Sequence, residues 1–357
     1  AAFSFVIFQL KILDNPLGFD TKDRWMISLD DIYHRDSADA AMTLDQLKHD
    51  LEESPIVERV GFVSSSAPFL NNTSTTSNDD MGFHISSRIA EADEGFVDAM
   101  NIKVLKGRWF NDTDHDSKYR PIVVNQLFLN TYFPGKNMLD SVIQLIGECK
   151  IVGVMQDYRY KGEFEEPTSI SFFYTPHTVN YMNNVVLRMK PGTSIGEQQR
   201  INDIVKNVTK SNSFIIKVLE TERERNSRGR WIPIIALLSI CGFLCINIAL
   251  GLFGVLWYNI NKRRSEIGLR RALGAHSSDI SKHFILETLV LAFIAIALGL
   301  IFSIQIPLLK VIDIKPGIFY ESMAWVTVLI TLLVFICAYF PSRQAAMIHP
   351  ATALHED

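Results

Sequence analysis

The chain has 357 residues, 48% of them hydrophobic, with four cysteines and a formal net charge of −4. This length is enough for roughly two or three domains. Because Cys241, Cys245 and Cys337 lie in apolar stretches, Cys149 stands alone in the polar part, and a disulfide framework there is excluded.

The first ten residues, AAFSFVIFQL, are apolar but form only half of a membrane span, which needs about 20 helical residues. They lack the basic residues and the small-residue cleavage pattern of a signal peptide. We therefore expect residues 1–13 to be the outer end of a transmembrane helix that starts upstream. The alternative is a buried N-terminal strand.

Residues 14–220 have the mixed pattern of an α/β domain. Apolar spacing predicts helices over 44–55 and 194–209, the second with Ser194 as N-cap and Glu197 completing a capping box. Strands are predicted in IVERVGFVSSS, PIVVN, CKIVGVMQDY, NNVVLRMKPG and FIIKVLE. The Ser/Thr/Asn-rich segment 68–82 is expected to be a mobile loop, and the charged segment 221–230 a helical stalk.

Little in this domain points to catalysis. The segment DTDHD (112–116) begins like a calcium loop, but Ser117 and Val123 replace the Gly and Glu that such a loop needs. We expect a solvated acidic turn there and no metal site. The sequence has no HExxH or GxSxG motif, so hydrolase and metalloenzyme functions have no positive support.

Three long apolar runs fill the last third of the chain, at residues 231–258, 284–307 and 323–340. The first and third contain no charged residue, and the second contains only Glu287. Because about 20 apolar helical residues cross the hydrocarbon layer, each run predicts a transmembrane helix. Three buried helices of a soluble protein are the alternative, but uncharged runs of this length are rare in soluble folds.

The charges between these runs predict the orientation in the membrane, because Lys and Arg next to spans stay on the cytoplasmic side. The connection 259–283, here called the basic connection, has six Lys and Arg residues, whereas 308–322 has two. We therefore place the basic connection and the tail 341–357 in the cytoplasm and 308–322 outside. Residues 14–230, with 25 Lys and Arg against 32 Asp and Glu, are then extracytoplasmic.

The basic connection also predicts a short amphipathic helix that stops at Gly274. Its expected apolar face consists of Ile267, Leu269 and Leu273. Ser277 or Ser278 is expected to cap the following helix. From the residues alone two interpretations stay open: an interfacial helix on anionic lipid, or a docking helix for a cytoplasmic partner.

Glu287 lies at the membrane edge, where an ion is costly unless it is paired or reaches the interface. We expect it to pair with Arg270, Arg271 or Lys282; simple interfacial exposure is the alternative. The other polar residues of the spans are isolated from one another: Ser239, Asn247, Thr288, Ser303 and Thr327. Their isolation argues against passage of a hydrophilic substrate through these helices.

Three motifs carry a resemblance to a known family. The first is KRRSEIGLRRALGA (262–275), followed by a glutamate about one turn into the next span. The others are GFVDAMNIKVLKGRWF in the α/β domain and the C-terminal YFPSRQAAMIHPATALHED. In these motifs the chain resembles the FtsX/MacB family of ABC-transporter permeases, and the resemblance spans nearly the whole chain.

The resemblance implies an α-helical integral membrane domain, with three complete spans and the remnant of a first, and an inserted mixed α+β extracytoplasmic domain. It implies a multi-pass protein of the bacterial inner membrane that works as a dimer with a second copy or a paralogue. The basic connection would contact an ABC ATPase subunit through Arg263, Arg264, Glu266, Ile267, Gly268, Leu269, Arg270, Arg271, Ala272, Leu273 and Gly274.

The sequence contains no GxxxxGK[ST] motif, so the resemblance implies a permease subunit without catalytic residues or a cofactor of its own. ATP and Mg²⁺ would bind to the partner ATPase. The implied mechanism is mechanotransmission, in which ATP hydrolysis moves the extracytoplasmic domain to expel or extract a peptide, drug or lipoprotein. A periplasmic adaptor or outer-membrane channel is a further implied partner, and no nucleic acid is expected.

Two other classes of function compete with this one. A membrane-bound sensor or regulator would signal, or activate a cell-wall hydrolase, without transport; a sensor needs an output domain, and only seventeen residues follow Phe340. A membrane-anchored enzyme would need a convergent nucleophile or metal set in 14–230, and the sequence presents none.

Overall fold

The computed structural model describes residues 6–7, 12–13, 15–64, 66–70, 73–79, 82, 84–309 and 316–345. The chain forms two compact units: Ile12–Arg230, here called the α/β domain, and a helical unit that includes the described residues from Trp231 onward. Most of the predicted N-terminal segment 1–13 lies outside the described residues. So do residues 310–315 of the predicted loop 308–322 and residues 346–357 of the tail.

The described part of the α/β domain contains one mixed sheet of eleven strands. The strands are β1 Arg24–Leu29, β2 Val57–Val63, β3 Ser74–Asn78, β4 Ile85–Ala92, β5 Val104–Gly107, β6 Arg120–Asn125, β7 Val142–Gln144, β8 Glu148–Met155, β9 Ile170–Tyr174, β10 Asn184–Met189 and β11 Phe214–Val218. Their order is β11-β1-β10-β2-β4-β9-β6-β8-β5, with β3 added to β4 and β7 to β8. Only the β4–β9 and β6–β8 pairs are parallel among the described strands.

Four α-helices accompany the described strands: α1 Ser37–Glu52, α2 Phe96–Met100, α3 Gln126–Tyr132 and α4 Gln198–Thr209. Short 3-10 helices cover Ile32–His34, Asp112–Asp114 and Ile195–Glu197. Successive side chains of a strand point to opposite faces, so β1 contributes to two cores. Ile27 packs with Leu44 of α1 and Ile201 of α4, whereas Met26 packs with Phe96 of α2. Both faces of the sheet are therefore covered at β1, which explains why nearly every residue of this strand is buried.

The sequence predicts most of these elements correctly. The five predicted strands are confirmed as β2, β6, β8, β10 and β11. The helix predicted over 44–55 is confirmed, but it begins at Ser37, because Asp36 caps it by accepting a hydrogen bond from the Ala38 N–H at 3.2 Å. The helix predicted over 194–209 begins as α4 only at Gln198, with Glu197 and not the predicted Ser194 as its N-cap. Just before it, the Glu197 carboxylate accepts from the Ser194 N–H at 3.0 Å, which is one half of the predicted capping box.

The prediction of an irregular loop over 68–82 is wrong at its centre, where Ser74–Asn78 form β3. This strand pairs antiparallel with β4, placing Thr76 opposite Ser87. The backbone of β4 supplies hydrogen-bond partners, and Thr is well suited to an exposed strand. Pairing with a neighbouring strand therefore outweighs the low apolar content of the segment. Residues 71–72 and 80–81 lie outside the described residues.

The last third of the described chain is helical: α5 Leu219–Lys262, α6 Arg264–Ala272, α7 Ser277–Leu308 and α8 Pro316–Ala345. Of these, α5, α7 and α8 are long and apolar enough to cross a membrane. The charged segment 221–230 is the first part of α5, without a break before the apolar run. Large side chains on these helices are exposed, such as Phe293 at 72%, as expected of a lipid-facing surface. The chain is therefore a multi-pass membrane protein that carries a mixed α/β domain.

The α/β domain is most tightly constrained where β2 meets the start of α2. A Cβ atom on Gly61 would lie 2.5 Å from the Phe96 Cα, and one on Gly95 would lie 2.2 Å from a carbonyl oxygen of β2. Asp93 is fully buried, and its Oδ1 accepts hydrogen bonds from the backbone N–H groups of Phe62 (2.8 Å) and Phe96 (3.0 Å). One carboxylate thus joins β2 to the first turn of α2.

Gly61→Ala should lower the melting temperature of the α/β domain, because the added methyl group meets backbone atoms that cannot rotate away. We expect a loss of about 2–3 kcal/mol, equivalent to about 4–12 °C for a domain of this size. Differential scanning fluorimetry of the detergent-solubilised protein measures it. Gly229→Ala is the matched control, since a Cβ there meets no atom within 4 Å. Equal shifts for both variants would contradict the prediction.

The stability of the α/β domain should depend on pH through Asp93. Burial, together with the nearby Glu94 carboxylate, raises the pKa of Asp93 from 3.8 to about 7. The folded domain thus keeps a proton that the unfolded chain releases at about pH 4, so this contribution to the free energy of unfolding is lost as the pH rises towards about 7.

Asp93→Asn keeps an acceptor oxygen but cannot ionise. Relative to wild type, its melting temperature should therefore improve between about pH 5 and about pH 8. Thermal scans of both proteins across this range test the prediction, because titrations common to both cancel in the difference. Parallel curves for the two proteins would show that Asp93 does not titrate there.

Candidate functional site

The basic connection folds as a one-residue break, a short helix and a tight turn. α5 ends at Lys262, Arg263 follows it, and α6 then runs to Ala272. Gly274 has a φ of 96°, the left-handed conformation that favours glycine after a helix. The predicted end of this helix at Gly274 is therefore confirmed.

The predicted cap of α7 is wrong. His276, not Ser277 or Ser278, occupies the N-cap position, and its side chain makes no capping hydrogen bond. Its carbonyl accepts from the Asp279 N–H at 3.0 Å. The helix begins one residue earlier than a serine cap requires, so both serines lie in its first turn.

Ile267 anchors α6 to the ends of two membrane helices. Its side chain is only 2% exposed and belongs to a cluster with Ile260 of α5 and with Ile280 and Phe284 of α7. Burying a side chain of this size contributes about 1.5–3 kcal/mol, so the anchor holds α6 in a defined position.

Leu269 of α6, and Leu273, which directly follows its last residue, lie on a different side from Ile267 and are exposed, at 52% and 80%. They are four residues apart, which places them next to each other on the helix surface. The prediction of one apolar face that includes Ile267 is therefore wrong. Positions 267 and 269 differ by about 200° around a helix, so their side chains cannot share a face.

Charged groups accompany the exposed leucines. The Arg270 guanidinium donates to the Glu266 carboxylate, with Nη2 and Oε1 2.5 Å apart and both side chains 51% exposed. Of the remaining predicted residues of α6, Gly268 is buried, Arg264 is half-buried and Ala272 is exposed, while the side chain of Arg271 lies outside the described ones. α6 therefore presents a surface with two leucines and an ion pair.

Among the described side chains, Glu287 pairs with Arg263 and not with the predicted Arg270 or Lys282, while the side chain of Arg271, the third predicted partner, lies outside the described ones. Arg263 Nη1 lies 3.4 Å from Oε2 of Glu287, and the side chains are 48% and 44% exposed. Arg270, which the sequence suggested, is engaged with Glu266. Because Arg263 stands at the break after α5, its side chain reaches α7 directly. A half-exposed pair of this kind contributes about 1 kcal/mol or less, which suits a role in orientation better than one in stability.

The acidic segment 112–116 is exposed at Thr113, His115 and Asp116, as the predicted solvated turn requires, but it is not solvated at Asp114. Asp114 is only 4% exposed, and its two carboxylate oxygens accept from Arg108 at 2.6 and 2.7 Å. The Asn111 N–H donates to the same carboxylate at 2.9 Å. Arg108 stands outside the acidic run, so composition alone did not reveal this pair. The Asp114 carboxylate is therefore already occupied by a cation of the chain itself.

A second cluster, which sequence reasoning missed, combines Asp93, Glu94 and His177. These ligand types can hold a metal ion, but the Lys48 ammonium lies 2.5 Å from Glu94 Oε1 and 3.8 Å from Asp93 Oδ2. Burial and the charge of Lys48 lower the pKa of His177. Lys48 thus supplies the positive charge that a metal ion would bring. We interpret Lys48, Asp93, Glu94 and His177 as a structural network of charged and polar groups.

Two family models match the chain. The description MacB-like periplasmic core domain applies to residues 14–202, which is more than half of the chain. The description FtsX-like permease C-terminal applies to residues 236–350, which include the basic connection and α7. The two matches thus cover the α/β domain and the helical unit separately.

Several relatives are similar over most of the chain. The macrolide export ATP-binding/permease protein MacB of Rhodopseudomonas palustris is 24% identical over 83% of this chain and 47% of its own length. The probable syringafactin export ATP-binding/permease protein SyfD of Pseudomonas syringae pv. tomato is 24% identical over 73% of this chain and 41% of its own. The chain therefore spans about half the length of the relatives it matches.

Among solved structures, the periplasmic region of MacB from Actinobacillus actinomycetemcomitans is similar at 14% identity and a TM-score of 0.40, over 60% of this chain and 97% of the other. The two family models, which match the α/β domain and the helical unit in turn, carry the assignment. The chain belongs to the FtsX/MacB family of ABC-transporter permeases.

Proposed function

We propose that this chain is the permease part of an ABC transporter in which ATP hydrolysis moves the α/β domain. ATP and Mg²⁺ would bind to an ATPase outside these 357 residues. Membership of the permease family supports the proposal, as do relatives whose names combine ATP binding with export. The chain itself would contribute no catalytic residue.

The exposed leucines of α6 carry this proposal. Leu269 and Leu273, which are four residues apart, are 52% and 80% exposed. Ile267, on another side of α6, is buried and packs against α5 and α7. An apolar pair flanked by charges on a rigidly held helix suits insertion into a groove of a partner protein. We infer that α6 is the docking helix for the ATPase and that the anchor transfers its motion to α5 and α7.

The polar groups of the membrane helices favour movement of the helices over a polar pathway through them. Ser239, Asn247, Thr288 and Thr327 each donate a hydrogen bond to a carbonyl of their own helix, four residues earlier. Such groups are satisfied locally and need no water-filled path. The substrate would thus be expelled or extracted on the side of the α/β domain, as a peptide, drug or lipoprotein.

The cellular setting follows from the same proposal. The basic connection would face the bacterial cytoplasm, and the α/β domain would lie outside the inner membrane. Two copies, or this chain and a paralogue, would form the transporter, with an adaptor or outer-membrane channel as a further partner. Regulation of a cell-wall hydrolase without transport is the competing function, and it uses the same docking helix with a different output.

Leu269→Gln/Leu273→Gln should weaken binding of the ATPase by about tenfold or more, because it removes the apolar contact that docking buries. Both residues are exposed, so folding should be unaffected. Affinity and ATP turnover are measured with the complete permease in nanodiscs. Lys282→Gln is the control, since it removes one charge from the basic connection without changing α6. Unchanged affinity in the leucine variant would contradict docking through this surface.

Arg270→Glu/Arg271→Glu should also weaken ATPase binding, and the loss should shrink at high salt because exposed charges are screened. Reversing the charges separates docking from orientation. Cysteine labelling from each side of the membrane would report the topology, which we expect to stay that of the wild type. If binding and turnover match wild type at low salt, these two positive charges serve orientation or lipid contact only.

A further inference from the structure

The α/β domain, Ile12–Arg230, is continuous with residues of the helical unit at each of its two ends. These two ends are the covalent route by which ATP-driven motion of the helices can reach this domain. One internal loop, residues 157–166 between β8 and β9, contacts both ends, and we call it the clamp loop.

The clamp loop is bonded to the first end of the domain through Arg159. This side chain is only 1% exposed, and its Nη1 donates to the carbonyl of Asn15. The backbone N–H of Arg159 donates to the carbonyl of Leu17 at 2.9 Å. At Gly18, an added Cβ would lie 1.9 Å from the carbonyl oxygen of Asp157, so the two backbones are in direct contact.

The same guanidinium holds the clamp loop in shape. Its Nε donates to the Glu165 carbonyl at 2.9 Å, and its Nη2 donates to the Glu163 carbonyl. Burial lowers the pKa of Arg159, but a guanidinium titrates so far above neutrality that it stays charged. Burying a charged guanidinium costs free energy unless its N–H groups find hydrogen-bond acceptors. In Arg159, backbone carbonyl oxygens are the acceptors.

The clamp loop is bonded to the second end of the domain through the start of α5. Glu163 Oε1 accepts from Nε of Arg223 at 2.7 Å, and its Oε2 accepts from the Ser227 hydroxyl at 3.0 Å. The Asn226 side-chain amide donates to the Lys161 carbonyl. Arg223, Asn226 and Ser227, which span about one turn of α5, therefore all form hydrogen bonds with the clamp loop.

The two ends of the domain are also joined directly. The Thr21 hydroxyl donates to Oε2 of Glu220 at 2.5 Å, and Nη1 of Arg223 donates to the same hydroxyl at 3.4 Å. Residues close to the first end and residues at the start of α5 thus share a polar network. Neither end can shift without breaking bonds to the clamp loop or to the other end.

The clamp loop passes these constraints into the sheet. Asp157, at its start, accepts from the Asn125 side-chain amide and from the Leu127 N–H, at 2.9 and 3.0 Å. Beyond its other end the chain enters β9, which lies between β4 and β6 near the middle of the sheet. A displacement of α5 would therefore reach the central strands and the start of α3.

We propose that the clamp loop is the element that transmits motion of α5 to the sheet of the α/β domain, with Arg159 and Glu163 as its positioning residues. This inference rests on the proposed function, in which ATP hydrolysis moves the domain. The inference specifies the segment at which the motion of α5 reaches the α/β domain and the hydrogen bonds that link this segment to α5.

Reversing the charge of Glu163 tests the clamp. Glu163→Arg places two guanidinium groups together and should release α5 from the clamp loop, whereas Glu163→Arg/Arg223→Glu restores an ion pair of opposite polarity. Glu58→Arg is the control, because it makes the same charge reversal at an ion pair with Arg188, at 3.1 Å, between two strands of the sheet. Each variant is made in the complete permease with its ATPase, reconstituted in nanodiscs.

Hydrogen exchange of β9 and of α6 is compared between the nucleotide-free and the vanadate-trapped states, with ATP turnover recorded alongside. We expect the wild type and the control to show a nucleotide-dependent change in both segments. Glu163→Arg should keep its turnover and its change in α6 but lose most of the change in β9. The double variant should recover the change in β9.

The outcomes separate the two proposals. If the wild type hydrolyses ATP but shows a change in neither α6 nor β9, the proposed function itself fails. If it shows a change in α6 but none in β9, the clamp is overturned. If the wild type responds and Glu163→Arg responds equally, the clamp is overturned while the proposed function stands. If Glu163→Arg unfolds, the double variant decides: a variant that melts like wild type but shows no response in β9 overturns the clamp.

Discussion

Hydrocarbon offers no hydrogen-bond partner to an exposed backbone N–H or C=O group, and this constraint shapes the last third of the chain. It requires the apolar runs to be helices, so α5, α7 and α8 pair their backbones internally. Four polar side chains of these helices follow the same rule by bonding to carbonyls of their own helix. The ends of the helices, where water returns, are consequently the places where charged residues gather.

At one of these ends, burial and exposure divide a single short helix. Ile267 holds α6 against α5 and α7, and the leucines on the other side remain uncovered. The pair of Arg263 and Glu287 adds a contact between the break after α5 and α7. A helix that is packed on one side and exposed on the other can pass on a displacement. Packing fixes its position relative to α5 and α7, and its exposed surface is available to a partner.

The α/β domain relies on buried polar groups at the points where its elements meet. Asp93 joins β2 to α2, Arg108 neutralises Asp114, and Arg159 binds three carbonyls from two segments. Each of these groups would be costly if left without partners, so each specifies one arrangement of its neighbours.

The sequence by itself determined the membrane helices, five of the strands, the helix end at Gly274 and the family, because periodicity, glycine geometry and motifs are local properties of the chain. Only the tertiary structure decided the partner of Glu287, the strand at Ser74–Asn78 and the network around Arg159. These depend on residues far apart in the chain or on a neighbouring strand. Which groups meet across such distances is set by packing, and no local pattern encodes it.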